Sequence, residues 1–467
     1  MEKINVIPLP NKIKYLGGEA VITGREIKKI TDEKLADEEY ILSADASGIC
    51  LTASGERGFF YAEQTLKQLG EKCPSVKIED KPAFSYRAFH LDTVRHYFGV
   101  DEIKKFIDAA ASVKMNVFHW HITDDQGFRF FSKRRPEVTE RASVRPCSNF
   151  GRLKEEGAHG GIHTAQQMKE IVDYCAERFI TVIPEFDLPG HCSALLHAFP
   201  EIGCGGKNVE IKTKQGVFED VLCAGNDKTF EIVFDILADM LEIFPSEYIH
   251  IGGDEAPKKH WKECPGCQKR IRDEGLKNEE ELQGWFTKKI VGFLEANGRK
   301  AIVWNESLKS GMIDDNVTVQ MWMDKKKLSY DFADKGGRVI NSEFFAYYCD
   351  YPYAMTSLNK TYNYDPVPKE VKNPENIIGI EAPLWTEFIN NFDRLCYMAF
   401  PRFTAAAETG WTNKGKKNSA DFIRRFEAYS EYLKSIGINP APKKDWNPGV
   451  INKLGNLISF FSQYIVR

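Results

Sequence analysis

Eight short apolar runs constrain this chain more than any other feature. They are Tyr86–Asp92, Asn116–Ile122, Ile180–Phe186, Tyr248–Gly253, Lys300–Asn305, Val317–Trp322, Arg338–Glu343 and Ile377–Trp385. Nearly continuous apolar runs of this length suit strands buried on both faces. Amphipathic helical stripes separate several of them. Ile103, Phe106, Ile107, Ala110 and Ala111 form one stripe; Met168, Ile171, Val172, Cys175 and Ala176 form a second. Phe230, Val233, Ile236, Leu237, Met240 and Leu241 form a third. Strand alternating with helix, eight times over, predicts an α/β fold of the (β/α)8 TIM-barrel type across residues 85–435. No helix is evident between Glu343 and Ile377, so a long loop is expected there. Residues 1–84 read as a small α/β domain, with paired strands at Tyr40–Ser43 and Gly48–Thr52 and a helix over Gly58–Leu69. Residues 436–467 read as a C-terminal extension, with a helix at Ile451–Val466 packing on the barrel.

In such a barrel the C-terminal ends of the strands form one rim, where function gathers. The first run ends at Asp92, followed by Arg95. The second ends in His119-Trp-His121-Ile-Thr-Asp124-Asp125, and the third in Glu185-Phe-Asp187-Leu-Pro-Gly-His191. The fourth ends in Gly252-Gly-Asp254-Glu255. The remaining runs bring Trp304-Asn-Glu306, Trp322, Tyr348-Cys-Asp350 and Trp385-Thr-Glu387. Each residue alone has a plain reading as core or cap. Their joint placement at strand ends does not, because a buried, unpaired charge is costly.

Three chemistries compete for this rim. His119-x-His121 puts two imidazoles on one strand face, as metal ligands require, yet the fifth and sixth runs add no histidine. Structural hydrogen bonds beneath the site are the plainer role for the pair, and no metal is expected. Glycoside hydrolysis needs carboxylates, one of them a general acid with a raised pKa, and suits tryptophans that pack on sugar C–H faces. A noncatalytic sugar-binding barrel would share the aromatics but would not need Asp254-Glu255.

The motifs resemble glycoside hydrolase family 20, the β-N-acetylhexosaminidases. The resemblance rests on Leu91-Asp-Thr-Val-Arg-His-Tyr97, Phe118-His-Trp-His-Ile-Thr-Asp-Asp-Gln-Gly127, Ile183-Pro-Glu-Phe-Asp-Leu-Pro-Gly-His191, His250-Ile-Gly-Gly-Asp-Glu255 and Leu384-Trp-Thr-Glu387. Tyr61-Ala-Glu-Gln-Thr-Leu66 is similar to part of the small domain that precedes the family's barrel. The resemblance implies an exo-acting enzyme that removes terminal β-linked N-acetylglucosamine or N-acetylgalactosamine. It implies retention through an oxazolinium intermediate formed by the sugar's own acetamido group, without a cofactor. Glu255 would be the acid and then the base, Asp254 the anchor of the acetamido group, and His191 with Asp124 their support. Arg95, Asp350 and Glu387 would bind sugar hydroxyls, and Tyr348 the acetamido carbonyl. Trp304, Trp322 and Trp385 would wall the pocket. Two departures are visible: Cys349 stands where the family often has Leu, and Phe128 where Trp is common.

The remaining composition narrows partners. Lys and Arg total 63 against 67 Asp and Glu, a net charge of -4, which marks neither a nucleic-acid nor a membrane-surface partner. An N-acetylhexosamine-containing oligosaccharide or glycoconjugate is the expected partner, and oligomeric state is left open. No apolar stretch approaches the roughly 18 residues of a membrane span. Met1-Glu-Lys-Ile-Asn shows no basic-then-apolar leader, so a cytoplasmic location is expected. The 11 cysteines are irregularly spaced, which argues against a disulfide framework. Cys264-Pro-Gly-Cys267 is the one close pair and has the spacing of half a zinc site or a redox motif; with no second such pair, a local turn carrying free thiols is expected.

Overall fold

The computed structural model describes residues 3–324 and 327–465. All eight apolar runs become parallel strands of one closed barrel. In chain order they are Tyr86–Asp92, Val117–His121, Thr181–Glu185, Tyr248–His250, Lys300–Trp304, Thr318–Met321, Val339–Asn341 and Ile377–Ala382. The last pairs with the first, Gly379 opposite Tyr86 and Ala382 opposite Phe89. Closure leaves no strand edge unpaired.

Side chains alternate between the barrel's two faces. Phe89, Leu91, Phe118 and Trp120 point outward into the apolar layer beneath the helices. Inside, Ala88, Val117, Ile183, Ile302 and Ile340 form an apolar plug at the N-terminal end. Two residues further along each strand the interior turns polar, with His90, His119 and Glu185 all buried. The next step along each strand reaches the rim.

The three amphipathic stripes fall on helices Val100–Ser112, Ala165–Ala176 and Asp227–Ile243. Thr164 caps the second, accepting from the Gln167 N–H while the Gln167 side chain bonds back. The stretch expected as a loop after Glu343 instead contains two short helices, Phe344–Tyr347 and Leu358–Asn363. Four and six residues are too few to display a helical period, which is why the pattern was silent.

The N-terminal unit is a five-stranded sheet backed by the helix Glu56–Gln68. Strands Tyr40–Asp45 and Gly48–Ala53 pair antiparallel as expected. Strand Lys12–Val21 was illegible in the sequence because Gly17 and Gly18, both at positive φ, shift its register against Lys72–Asp80. The unit docks through buried charge: Arg87 at 2.8 Å from Glu38, and Lys114 at 3.3 Å from Asp80. Trp411 of the barrel sits in the small unit's core and donates its indole N–H to Asp80.

The C-terminal helix runs Val450–Ile465; Val466 lies outside the described residues. Its Phe460 is buried against Tyr351 and Phe388. Val450, Ile451, Leu454 and Ile458 are exposed.

Candidate active site

The fourth strand stops at His250, and the chain then turns sharply. Gly252 and Gly253 take φ values of +63° and +104°. A Cβ on Gly252 would lie 1.6 Å from the Asp187 carboxylate, so only glycine fits. The Gly253 N–H donates to that same carboxylate at 3.0 Å. This turn brings Asp254 and Glu255 to one cleft, which strand alternation alone would forbid. Glu255 itself adopts a left-handed φ of 41°. Such backbone strain in a non-glycine residue is tolerated where its surroundings hold it in place.

His191 joins the carboxylates. Its Nδ1 lies 3.2 Å from Asp125 and 3.3 Å from Asp124, while its Nε2 lies 3.5 Å from Glu255 and 3.9 Å from Asp254. Burial disfavours its cation, but the Asp124 charge and the surrounding hydrogen bonds outweigh this and hold its pKa well above the ordinary value. Burial also pushes the Glu255 carboxyl up; the hydrogen bond and charge of His191 prevail and bring it below the usual range. Asp254 moves the other way. Burial, then the neighbouring Asp187, raise its pKa well above normal. Burial similarly raises Asp187, to about 8. Both carboxyls are thus biased toward their neutral forms.

Beneath these groups lies a network that fixes them. Arg95 contacts Asp124 at 2.7 Å, Asp92 at 3.1 Å and Glu387 at 3.9 Å. His121 Nε2 meets Asp124 at 2.8 Å, and its Nδ1 meets Glu185. His119 lies between Glu381 at 3.0 Å and Glu185 at 3.3 Å. Both histidines on the second strand therefore hydrogen-bond to buried carboxylates, and these hold their pKa values up, to about 9 and about 10, against burial.

The sequence profile of the glycosyl hydrolase family 20 catalytic domain matches residues 84–414, and that of the family's domain 2 matches residues 23–81. The chain belongs to glycosyl hydrolase family 20. A β-hexosaminidase of Porphyromonas gingivalis is 37% identical over 88% of this chain and 56% of its own length. The chain thus spans little more than half of that relative. A β-hexosaminidase of Akkermansia muciniphila is 31% identical over 92% of this chain and 90% of its own. A solved β-N-acetylhexosaminidase superposes with a TM-score of 0.89 at 29% identity, covering 96% of this chain and 99% of its own. Family 20 is a family of glycosidases that hydrolyse terminal N-acetylhexosamine with substrate assistance, and this chain is a glycosidase of that family.

In this family 20 chain the opposite wall of the cleft comes from the later strands. Trp322, Tyr348, Asp350, Trp385 and Glu387 all line it. Burial, then the Glu387 charge, raise the Asp350 pKa well above the carboxylate norm. Trp304 stands behind Trp385, ring centroids 6.1 Å apart, with its indole N–H donated to Glu185 at 2.8 Å. It backs the wall from below. Sequence reasoning missed Asp187 and Asp125. Both were visible as second acids in motifs already quoted, Glu185-Phe-Asp187 and Asp124-Asp125. It also missed the aromatic lip of Phe344, Tyr351, Phe388 and Phe460. Phe460 carries no signal in the sequence, because it arrives from a helix over 200 residues beyond the acid pair.

Proposed function

We propose that this cleft removes terminal β-linked N-acetylglucosamine or N-acetylgalactosamine from oligosaccharides or glycoconjugates, with the sugar's 2-acetamido oxygen as nucleophile. One observation carries the assignment. His191 connects Glu255 to Asp124 and Asp125, while the neighbouring Asp254 keeps Oδ1 buried without a partner among the described residues. An acid wired for proton transfer stands beside an acceptor that has no protein donor.

In the first step Glu255 protonates the glycosidic oxygen as the anomeric C–O bond breaks and the acetamido oxygen attacks the anomeric carbon. The proton starts on the His191–Glu255 pair. A glycoside covering Glu255 removes its remaining water, which favours the neutral carboxyl needed as acid. Positive charge grows on the acetamido nitrogen, and Asp254 accepts its N–H. The N–H offered by the substrate favours the anionic form of Asp254 over its neutral acid. In the second step Glu255 takes a proton from water, which attacks the anomeric carbon and opens the ring with net retention. Tyr348 donates to the acetamido oxygen. Arg95, Asp350 and Glu387 hold sugar hydroxyls, Trp322 and Trp385 flank the apolar faces, and Trp304 supports Trp385.

A panel of aryl glycosides tests this. Turnover of the N-acetylglucosaminide or N-acetylgalactosaminide is expected, together with rejection of the plain glucoside and strong inhibition by a thiazoline mimic of the intermediate. Binding without turnover, or indifference to the thiazoline, would overturn it.

A further inference from the structure

Away from the cleft, four cysteines converge. Cys204, Cys223, Cys264 and Cys267 place their sulfurs within 4.8 Å of one another, and none is in a disulfide. Cys223 lies 3.6 Å from Cys267 and 3.7 Å from Cys264, and Cys204 lies 3.8 Å from Cys267. A disulfide needs about 2.05 Å. A tetrahedral zinc ion with Zn–S bonds of about 2.3 Å sets its sulfurs about 3.8 Å apart. These three separations match the tetrahedron's edge, and the other three lie within 4.8 Å. The thiols are free, as expected, but the expected local turn is the start of a helix: Cys264 is the N-cap of Pro265–Asp273, Cys267 lies in its first turn, and two distant loop cysteines face them.

The surrounding backbone is built for this convergence. Cys204 follows the turn Pro200–Ile202, and two glycines at positive φ, Gly205 and Gly206, come next. Cys223 donates its N–H to Ile202 at 2.8 Å beside an isolated antiparallel bridge between Gly203 and Leu222. A Cβ on Gly225 would lie 2.1 Å from the Gly266 carbonyl carbon, so the two cysteine-bearing segments are in direct backbone contact. Cys223 and Cys267 are buried, and Cys204 and Cys264 half-buried.

We propose that these four cysteines form a tetrathiolate zinc site. Four sulfurs with tetrahedral spacing favour zinc among common metals, and four protein ligands leave no open position, which marks a structural site. Binding releases the thiol protons to solvent and leaves the metal's oxidation state unchanged.

Position gives the site its purpose. Cys204 and Cys223 belong to the connection after the third strand, which also carries His191. Cys264 and Cys267 belong to the connection after the fourth, which carries Asp254 and Glu255. The metal therefore joins the loop of the proton relay to the loop of the acid. Leu222, adjacent to Cys223, donates to Pro189 at 3.0 Å, two residues before His191, and accepts from the Trp261 indole at 2.8 Å.

Elemental analysis of the full-length protein, dialysed without chelator, tests the proposal. One zinc ion per chain is expected, falling to background in Cys223→Ser and Cys267→Ser. It should be retained in Cys396→Ser, whose thiol is buried elsewhere. Protein grown with cobalt should show the visible absorption of a tetrahedral thiolate complex. The wild-type measurements stand even where a serine variant fails to fold. Zinc at background in the wild type, iron in its place, or disulfides among these four cysteines on alkylation and mass analysis would each overturn the assignment.

Discussion

On the side of the cleft built by the first four strands, charged atoms have partners within the protein. Arg95 is shared among Asp92, Asp124 and Glu387, and His191 between two aspartates and Glu255. On the side built by the last three strands, key polar atoms do not. Asp350 Oδ1 and the Trp322 indole nitrogen are buried with no partner among the described residues. Among the described residues that line the first side of the cleft, Asp254 Oδ1 is the exception, and it is the atom assigned to the substrate's amide. The contrast separates two tasks. Proton transfer needs groups whose orientation and pKa are set beforehand by neighbours. Recognition needs groups that gain their hydrogen bonds only when sugar arrives, so that a ligand lacking the matching hydroxyl leaves them buried and unsatisfied.

Substitutions on the two sides should therefore differ in kind. The largest effect is expected from Glu255→Gln, a loss in kcat of roughly a thousandfold on a glycoside with an unactivated leaving group. A good leaving group should recover much of the first step, and full activity on the unactivated substrate would erase the distinction between the two walls. Asp350→Asn should lower kcat/KM by about 10- to 100-fold, the range for leaving a buried polar group unsatisfied. Its pH–rate profile should keep the wild-type shape; a displaced profile would place Asp350 in the proton network instead. The smallest effect concerns stability. The folded pKa of Asp187 is raised to about 8 from an ordinary 3.8, so between these values the folded protein binds more protons than the unfolded. Stability from this group accordingly falls as pH rises through that window. Asp187→Asn, which keeps the oxygen facing the Gly253 N–H, should show a shallower decline in denaturant midpoints from acid to mildly alkaline pH. Parallel curves would mean that Asp187 is ionised in the folded protein at neutral pH.

The barrel was legible because strands buried on both faces must be apolar throughout, and eight such runs have one common architecture. The acid pair was legible because strand polarity sends all eight C-terminal ends to one rim. Short-range chemistry within a motif also carried over: Gly252 and Gly253 do turn both carboxylates into the cleft. The strand Lys12–Val21 and the two short helices after Glu343 were hidden, the first by a glycine bulge and the others by brevity.

Sequence alone thus determined the strand set, the rim and the residues delivered to it, since each follows from local periodicity and strand direction. Only the tertiary structure decided which of those residues touch. The 3.5 Å approach of His191 to Glu255, the place of Trp304 behind Trp385, and the arrival of Phe460 at the lip depend on how loops pack after the barrel closes. The four-cysteine cluster is the sharpest case. Its members lie 19, 41 and 3 residues apart in the chain, and no spacing rule joins them. They meet because parallel neighbouring strands set their connections side by side, and a glycine lets those connections touch.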